Sequence, residues 1–377
     1  MHDMSNDFVD NELDLDETVA ALQALAKEKR IPLSTAIELT MKCNLRCLHC
    51  YNFDRDKPDP NEREELKTDE ILHLIDELAA EGCLFLCLTG GESLMHPDIL
   101  PIIKHARKNY MAVTVRTSGA LLNERILKKL IDLGVANFGV SLYGTTAEVH
   151  DHFTQNPGAF DATIKAVKLS TQLGSRCDVN FGLTKYNVHQ IADVPTMGQS
   201  LKSYISITTH ITTRFDGSDS SVDHRASRED LEKLYAGPLS RMVSSCNPKA
   251  AEDADSRLEE FYLCGCARNV CGINAYGDVL PCVGVPMGCG NIREQSFHEI
   301  WKNSVQLNRI RGLTLEDFPV CNECAIRPFC QRANSVSYVD AGDYTGPEPF
   351  TCAQAEIIQE QYSGEFIAAA GSNLSRD

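Results

Sequence analysis

Nowhere does this sequence approach the ~18 consecutive apolar residues that a membrane-spanning helix requires. Its opening stretch, MHDMSNDFVDNELDLDE, is acidic and has no apolar core of the signal-peptide kind. Together these absences exclude a spanning segment and predict a cytoplasmic protein. Positive charge is scarce as well: 36 Lys and Arg face 53 Asp and Glu, for a net charge of −17. Phosphate backbones are bound by a surplus of cations, so this balance excludes nucleic acid as a general partner. A basic peptide or a small molecule stays open as substrate. Tandem repeats and low-complexity tracts are missing. Tryptophan is nearly so: the one residue, Trp301 in FHEIW, is expected to anchor its helix against the core.

Cysteine is the opposite case. The 377 residues hold 16 of them, in a chain expected in a reducing compartment, where disulfides are rare and clustered thiols bind metal or do catalysis. Three lie within MKCNLRCLHCYNF: Cys43, Cys47 and Cys50, spaced C-x3-C-x2-C. Three thiolates can hold three corners of a four-iron cluster and leave the fourth iron for another molecule. A structural zinc ion would need a fourth donor close by. His49 is adjacent to Cys50, a poor position for tetrahedral geometry.

With 43% hydrophobic and 24% charged residues the chain reads as globular, and its length predicts two domains. TAIELTM reads as a strand, and TDEILHLIDELAAEG as a helix with Thr68 as N-cap and Gly82 as its stop. CLFLCLT, MAVTVRT, NFGVSLY, CDVNFGLT and YISITTHITT continue the strands. PDILPIIKHARKN, NERILKKLIDLG, FDATIKAVKLSTQLG and a weaker VHQIADV supply the helices between them. About six βα units predict an α/β fold with a parallel sheet, a partial (β/α)6 TIM-like barrel. Ligands bind such folds at the C-terminal ends of the strands, and the three-cysteine stretch is the first loop there. The alternation breaks after Arg214 with the polar DGSDSSVDHRASRED, and a region rich in Cys, Gly and Pro begins near Leu263. The expected division is an acidic extension (1–31), the barrel (32–214), a linker and helix (215–260), a small metal-organised domain (261–355), and a C-terminal helix and tail (356–377).

The second strand runs into LTGGESLMHPD. Gly90 and Gly91 let the backbone approach a ligand closely, and Glu92 can hold an ammonium group. An ordinary glycine turn with a surface glutamate is the other reading. With CNLRCLHCYN on the preceding loop, the stretch from Pro32 to Arg214 resembles the radical S-adenosylmethionine (SAM) superfamily. The resemblance implies a [4Fe–4S] cluster on Cys43, Cys47 and Cys50, with its open iron chelated by the amine and carboxylate of SAM. It also implies reductive cleavage of SAM to a 5′-deoxyadenosyl radical that takes hydrogen from a substrate. Gly90, Gly91 and Glu92 would then hold the methionine amine, and Tyr51 would pack by the adenine. Ser141 in VSLYG stands where related enzymes place a serine near the SAM ribose or carboxylate. Ser118 in RTSG stands where many relatives have asparagine. Arg116 reads either as a charge partner to substrate or as a capping or salt-bridged residue.

A second cysteine region follows: Cys264, Cys266, Cys271 and Cys282 in YLCGCARNVCGINAYGDVLPC, then Cys321, Cys324 and Cys330 in VCNECAIRPFC, then Cys352. From Cys264 to Cys352 it resembles the SPASM extension of radical SAM enzymes, which implies two auxiliary [4Fe–4S] clusters. One departure stands out. The extension usually carries a further cysteine three or four residues after the position of Cys330, whose thiol crosses over to the first auxiliary cluster. Here those positions are Ala333 and Asn334. The second cluster keeps a full set in Cys321, Cys324, Cys330 and Cys352. The first has Cys271, Cys282 and one or both of Cys264 and Cys266, with Cys289 in reserve. A zinc ribbon is the alternative for this region.

The other cysteines read as structural, Cys83 and Cys87 as core residues on one strand face. His105, His150 and His152 read as surface or capping residues. The expected function is that of a radical SAM/SPASM enzyme acting on a ribosomally made peptide by crosslinking, oxidation or epimerisation. It would draw electrons from a flavodoxin or ferredoxin and rely on a separate peptide-recognition protein. A maturase or dehydrogenase of a haem-like, quinone or other small molecule is the alternative. An iron–sulfur electron carrier or scaffold is the non-enzyme reading, which the amino-acid-binding GGE loop opposes.

Overall fold

Strand-forming and helix-forming stretches alternate along the first two-thirds of the chain, and a computed structural model shows how they assemble. It describes residues 15–52, 59, 61–243 and 264–372. Cys246 and most of the acidic N-terminal stretch lie outside them. Six parallel strands form the sheet: β1 (Ser34–Glu38), β2 (Phe85–Thr89), β3 (Ala112–Thr117), β4 (Asn137–Leu142), β5 (Cys177–Gly182) and β6 (Tyr204–Thr208). Each pairs with the next in chain order, joined through helical crossovers, as βα units dictate. This is the expected partial barrel.

Alternation decides the two faces. Along β3, Val113, Val115 and Thr117 are buried against helices, while Arg116 is exposed on the opposite, inner face. The helix Thr68–Ala80 buries Ile71, Leu74, Ile75 and Leu78, a helical stripe. Its N-cap is Lys67 rather than Thr68. Thr68 lies one residue inside, where its hydroxyl donates to Asp98 Oδ2 at 2.6 Å and ties this helix to the start of the next. Gly82 ends the helix as expected, at φ +89°.

The cysteine-rich region is not a separate lobe. Two of its strands, β7 (Val270–Ile273) and β8 (Val279–Leu280), extend the barrel sheet. β7 pairs in parallel with β1, Ser34 opposite Val270, and β8 returns antiparallel to β7. The open edge of β1 is thereby covered. The polar stretch after Arg214 is also built in. Ser221 is fully buried, the helix Arg228–Tyr235 buries Leu231, Leu234 and Tyr235, and Arg228 pairs with Glu356 and Glu360 of the last helix. Among the described residues no helix is long and apolar enough to cross a membrane.

Trp301 does anchor its helix (Phe297–Asn303). It is fully buried, stacks on Phe297 at 5.9 Å between centroids, lies under the Arg311 guanidinium, and donates Nε1–H to the Arg30 carbonyl at 2.6 Å. Trp301→Ala is expected to cost about 3–5 kcal/mol through the cavity it leaves. Trp301→Phe, which chiefly loses the donor, should cost about 1–3 kcal/mol. The relative urea midpoints of the two variants check this ordering.

Candidate functional site

The three-cysteine loop leaves the C-terminal end of β1 and is held there by main-chain bonds. Gly91 N–H donates to the Thr40 carbonyl at 2.7 Å, and Glu92 N–H to the Lys42 carbonyl at 2.8 Å. Glu65 adds a second hold, accepting from Thr40 Oγ1 and Met41 N–H. The glycines are required by this contact. A Cβ on Gly90 would stand 2.4 Å from the Thr40 carbonyl oxygen, and one on Gly91 2.4 Å from that of Lys42. The sequence reading brings a ligand close to these glycines; the close approach in the structure is to the neighbouring loop.

Glu92 is 1% exposed and fully engaged. Its Oε1 accepts from Thr117 Oγ1 at 2.7 Å and from Leu94 N–H at 3.1 Å. Its Oε2 accepts from Ser118 N–H and Oγ, both at 2.8 Å. Four donors saturate the carboxylate and bind the ends of β2 and β3 together. The surface-glutamate reading therefore fails. Ser118, the departure from asparagine, keeps a short donor facing this carboxylate.

Tyr51, next to Cys50, packs its ring 4.9 Å from Phe215 and donates its hydroxyl to Glu38 Oε1 at 3.3 Å. Glu38 ends β1 and is 4% exposed. Burial pushes its carboxyl up to about 7, against a smaller lowering by the Tyr51 hydroxyl. Tyr143, two residues beyond Ser141, is raised by burial and then by the nearby Cys47 thiol, and is hydrogen-bonded to Ser141. Its ring contacts His49 at 4.7 Å. His150 is buried and accepts from Tyr143 N–H, so it is not a surface residue.

Ser141 lies on the inner face of β4, opposite Asn180 of β5. Arg116 projects from the inner face of β3, and among the described residues no carboxylate forms an ion pair with it. That removes the salt-bridged reading of Arg116. Cys87 belongs to the same inner face, beside Arg116, while Cys83 is a buried core residue that precedes β2 rather than lying on it.

In the C-terminal region Cys264, Cys266 and Cys282 form one group, with the Cys266 thiol hydrogen-bonded to both others. Cys264 is the thiol held down, through its bond to Cys266. Cys271 is fully buried in β7, directs Sγ to the carbonyls of Gly272 and Leu280, and neighbours Cys289, Cys83 and Cys282. Cys330, pushed up to about 12 by burial, lies near Cys352 and Cys321. Cys352 also faces Cys324, so these four form a second group.

The donor sets suit iron–sulfur clusters. The three cysteines of the first loop are half-buried. Among the described residues no three His, Cys, Asp or Glu side chains converge on a single-ion position. Beside the first loop, Asn44 Oδ1, His49 Nδ1 and Arg214 Nε are buried without hydrogen-bond partners, groups that a bound molecule would satisfy. Sequence reading missed Glu38, Tyr143, Asn334's partners and the buried His150. The one available signal was a charged residue inside the apolar strand TAIELTM.

Comparison with known proteins agrees with this geometry. Residues 37–195 match the radical SAM superfamily, and residues 264–325 match an iron–sulfur cluster-binding domain, SPASM. An AdoMet-dependent heme synthase of Methanosarcina barkeri is 30% identical, over 85% of this chain and 96% of its own. A mycofactocin maturase of Mycobacterium tuberculosis is 26% identical, over 86% of this chain and 83% of its own. In fold, the chain resembles Streptococcus suis SuiB bound to S-adenosylmethionine, with a TM-score of 0.65 at 18% identity, covering 92% of this chain and 83% of that one.

Two outcomes follow from the geometry. Gly91→Ala must push the two loops apart, and is expected to lose about four irons per reconstituted chain, read by iron assay. For Glu38 the folded carboxyl holds its proton longer than the unfolded one. The stabilisation is complete below the ordinary value of 4.5 and lost as pH rises through about 7. Thermal midpoints at several pH values should show Glu38→Gln gaining relative to the unsubstituted protein across that window, by up to about 3 kcal/mol.

Proposed function

Because the chain belongs to the radical SAM superfamily and carries a SPASM domain, we propose that it modifies a carboxylate-bearing substrate held by Arg116, and that this substrate is a ribosomally made peptide. The radical SAM domain binds SAM and a [4Fe–4S] cluster, and the SPASM domain binds auxiliary iron–sulfur clusters. When bound, SAM and its cluster supply a carbon radical able to remove a hydrogen atom from substrate.

The rest is work for this chain's own residues. Cys43, Cys47 and Cys50 would hold the first cluster, and the loop clamped by Gly90, Gly91 and Glu92 would receive the methionine end of SAM. Tyr51 would pack by the adenine, with Ser141 on the facing strand. Cys264, Cys266 and Cys282 would hold one auxiliary cluster, and Cys321, Cys324, Cys330 and Cys352 the other. Cys271, buried beside Cys282, would be a further candidate for the first set. A flavodoxin or ferredoxin would supply electrons, and a separate protein would aid peptide recognition.

Arg116 carries the substrate reading. A cation on the inner face of a barrel, with no carboxylate partner among the described residues, suits an anionic group on the incoming molecule. A peptide side chain or C-terminus supplies such a group, and the mycofactocin maturase supports this choice. The 30% identity to a heme synthase favours a second reading, a porphyrin propionate in the same place.

Anaerobic reconstitution should give about twelve irons and negligible zinc; about four irons with stoichiometric zinc would overturn the auxiliary-cluster assignment. The loaded, reduced enzyme is then given SAM with either an acidic peptide encoded beside its gene or a propionate-bearing iron porphyrin. Mass change in the peptide alone supports the first reading, and change in the porphyrin alone the second. Arg116→Gln should raise KM for the modified substrate at least tenfold, while uncoupled SAM cleavage persists.

A further inference from the structure

Between the two auxiliary thiol groups runs a continuous hydrogen-bonded path. Arg332 is 8% exposed and donates in several directions. Its Nη1 reaches Cys321 Sγ at 3.3 Å and the Gly346 carbonyl at 2.5 Å, and its Nη2 reaches the Tyr344 carbonyl at 2.8 Å. Its Nε donates to Asn334 Oδ1 at 2.8 Å. Asn334, 3% exposed, in turn directs Nδ2 at Cys264 Sγ, 3.6 Å away. The Tyr344 hydroxyl stands 3.4 Å from the same sulfur.

The orientation of Asn334 is forced. A guanidinium only donates, so the amide oxygen must face Arg332 and the amide NH2 must face sulfur. No carboxylate forms an ion pair with Arg332 among the described residues, although Asp343 is close enough to feel its charge. The guanidinium instead lies over the Phe318 ring, 5.2 Å from its centroid. A buried, largely uncompensated cation thus touches one sulfur of the second group, and through one amide it polarises a donor onto a sulfur of the first.

We propose that Arg332 and Asn334 form a bridge that raises the reduction potentials of both auxiliary clusters and links them. This rests on the assignment of Cys264 and Cys321 as ligands of the two clusters. Reduction adds one negative charge to a cluster. A nearby cation and N–H donors to its sulfurs stabilise that state more than the oxidised one, and weak screening at a buried site strengthens the effect. The resemblance to the SPASM extension implies a crossing thiolate at Ala333 or Asn334, and a neutral donor in place of an anionic ligand acts in the same direction. Arg332 and Asn334 are positioning residues: they act through the sulfurs and touch no substrate.

The test is an EPR-monitored potentiometric titration of the full-length, iron-replete enzyme. Arg332→Gln should lower the potential of the Cys321 cluster by at least tenfold in its one-electron equilibrium, about 59 mV, and that of the Cys264 cluster by less. Arg332→Lys, which keeps the charge, should retain most of the wild-type value. Asn334→Ala should lower only the Cys264 cluster. Unchanged potentials in iron-replete Gln and Ala variants overturn the bridge, and so does a Lys variant that falls as far as the Gln variant. Should Arg332→Gln fail to load iron, the Asn334→Ala titration decides alone, an unchanged value counting against the bridge. Failure of the ligand assignment looks different: the unsubstituted enzyme would then show no auxiliary-cluster signals.

Discussion

Glu92 and the two glycines before it form the joint on which the candidate site depends. Three separate strand ends meet there. The main chain of Gly91 and Glu92 holds the cysteine loop from β1, and the Glu92 carboxylate holds Thr117 and Ser118 from β3. A buried carboxylate is tolerated because all four of its acceptor positions are used. Loosening any one partner would leave charge or donors unsatisfied in a dry place. The three thiols are therefore mounted on a rigid seat rather than on a free loop, as a cluster that must hold geometry through an electron transfer requires.

The same economy of contact joins the two domains. β7 completes the edge of β1, so the strand that delivers the cysteine loop is paired on both sides. Arg63 makes a second connection, reaching Asp59 and Asp278 from one guanidinium. The auxiliary sites are consequently fixed relative to the barrel by backbone pairing, which has little freedom to slip while one face is buried. Electron movement between barrel and C-terminal region would profit from that constancy.

Charge is distributed against the overall trend. The chain carries −17, yet the positions that matter internally include cations without ion-pair partners among the described residues: Arg116 on the inner barrel face and Arg332 between the thiol groups. Each sits where an anion is expected, a substrate carboxylate in one place and a thiolate-bound cluster in the other. Glu38 is the converse, a carboxyl pushed toward neutrality by burial beside Tyr51.

Much of this was legible before any fold was in hand. Alternating periodicities set out six βα units because strand and helix bury different spacings, and the C-x3-C-x2-C and GGE motifs fell on adjacent strand ends because parallel strands bring their C-terminal loops together. That Cys321, Cys324, Cys330 and Cys352 belong together was implied by the resemblance to the SPASM extension. Other features depended on distance in sequence. Whether Gly90 and Gly91 faced a ligand or a loop, and which strand β7 would extend, are set by contacts between residues distant in sequence, Gly91 with Thr40 and Val270 with Ser34. Asn334 shows the division best. The sequence by itself determined that no thiol stands at Ala333 or Asn334, where the resemblance to the SPASM extension implies one. Only the tertiary structure decided what replaced it, because the amide's direction is imposed by Arg332 on one side and a sulfur some seventy residues earlier on the other.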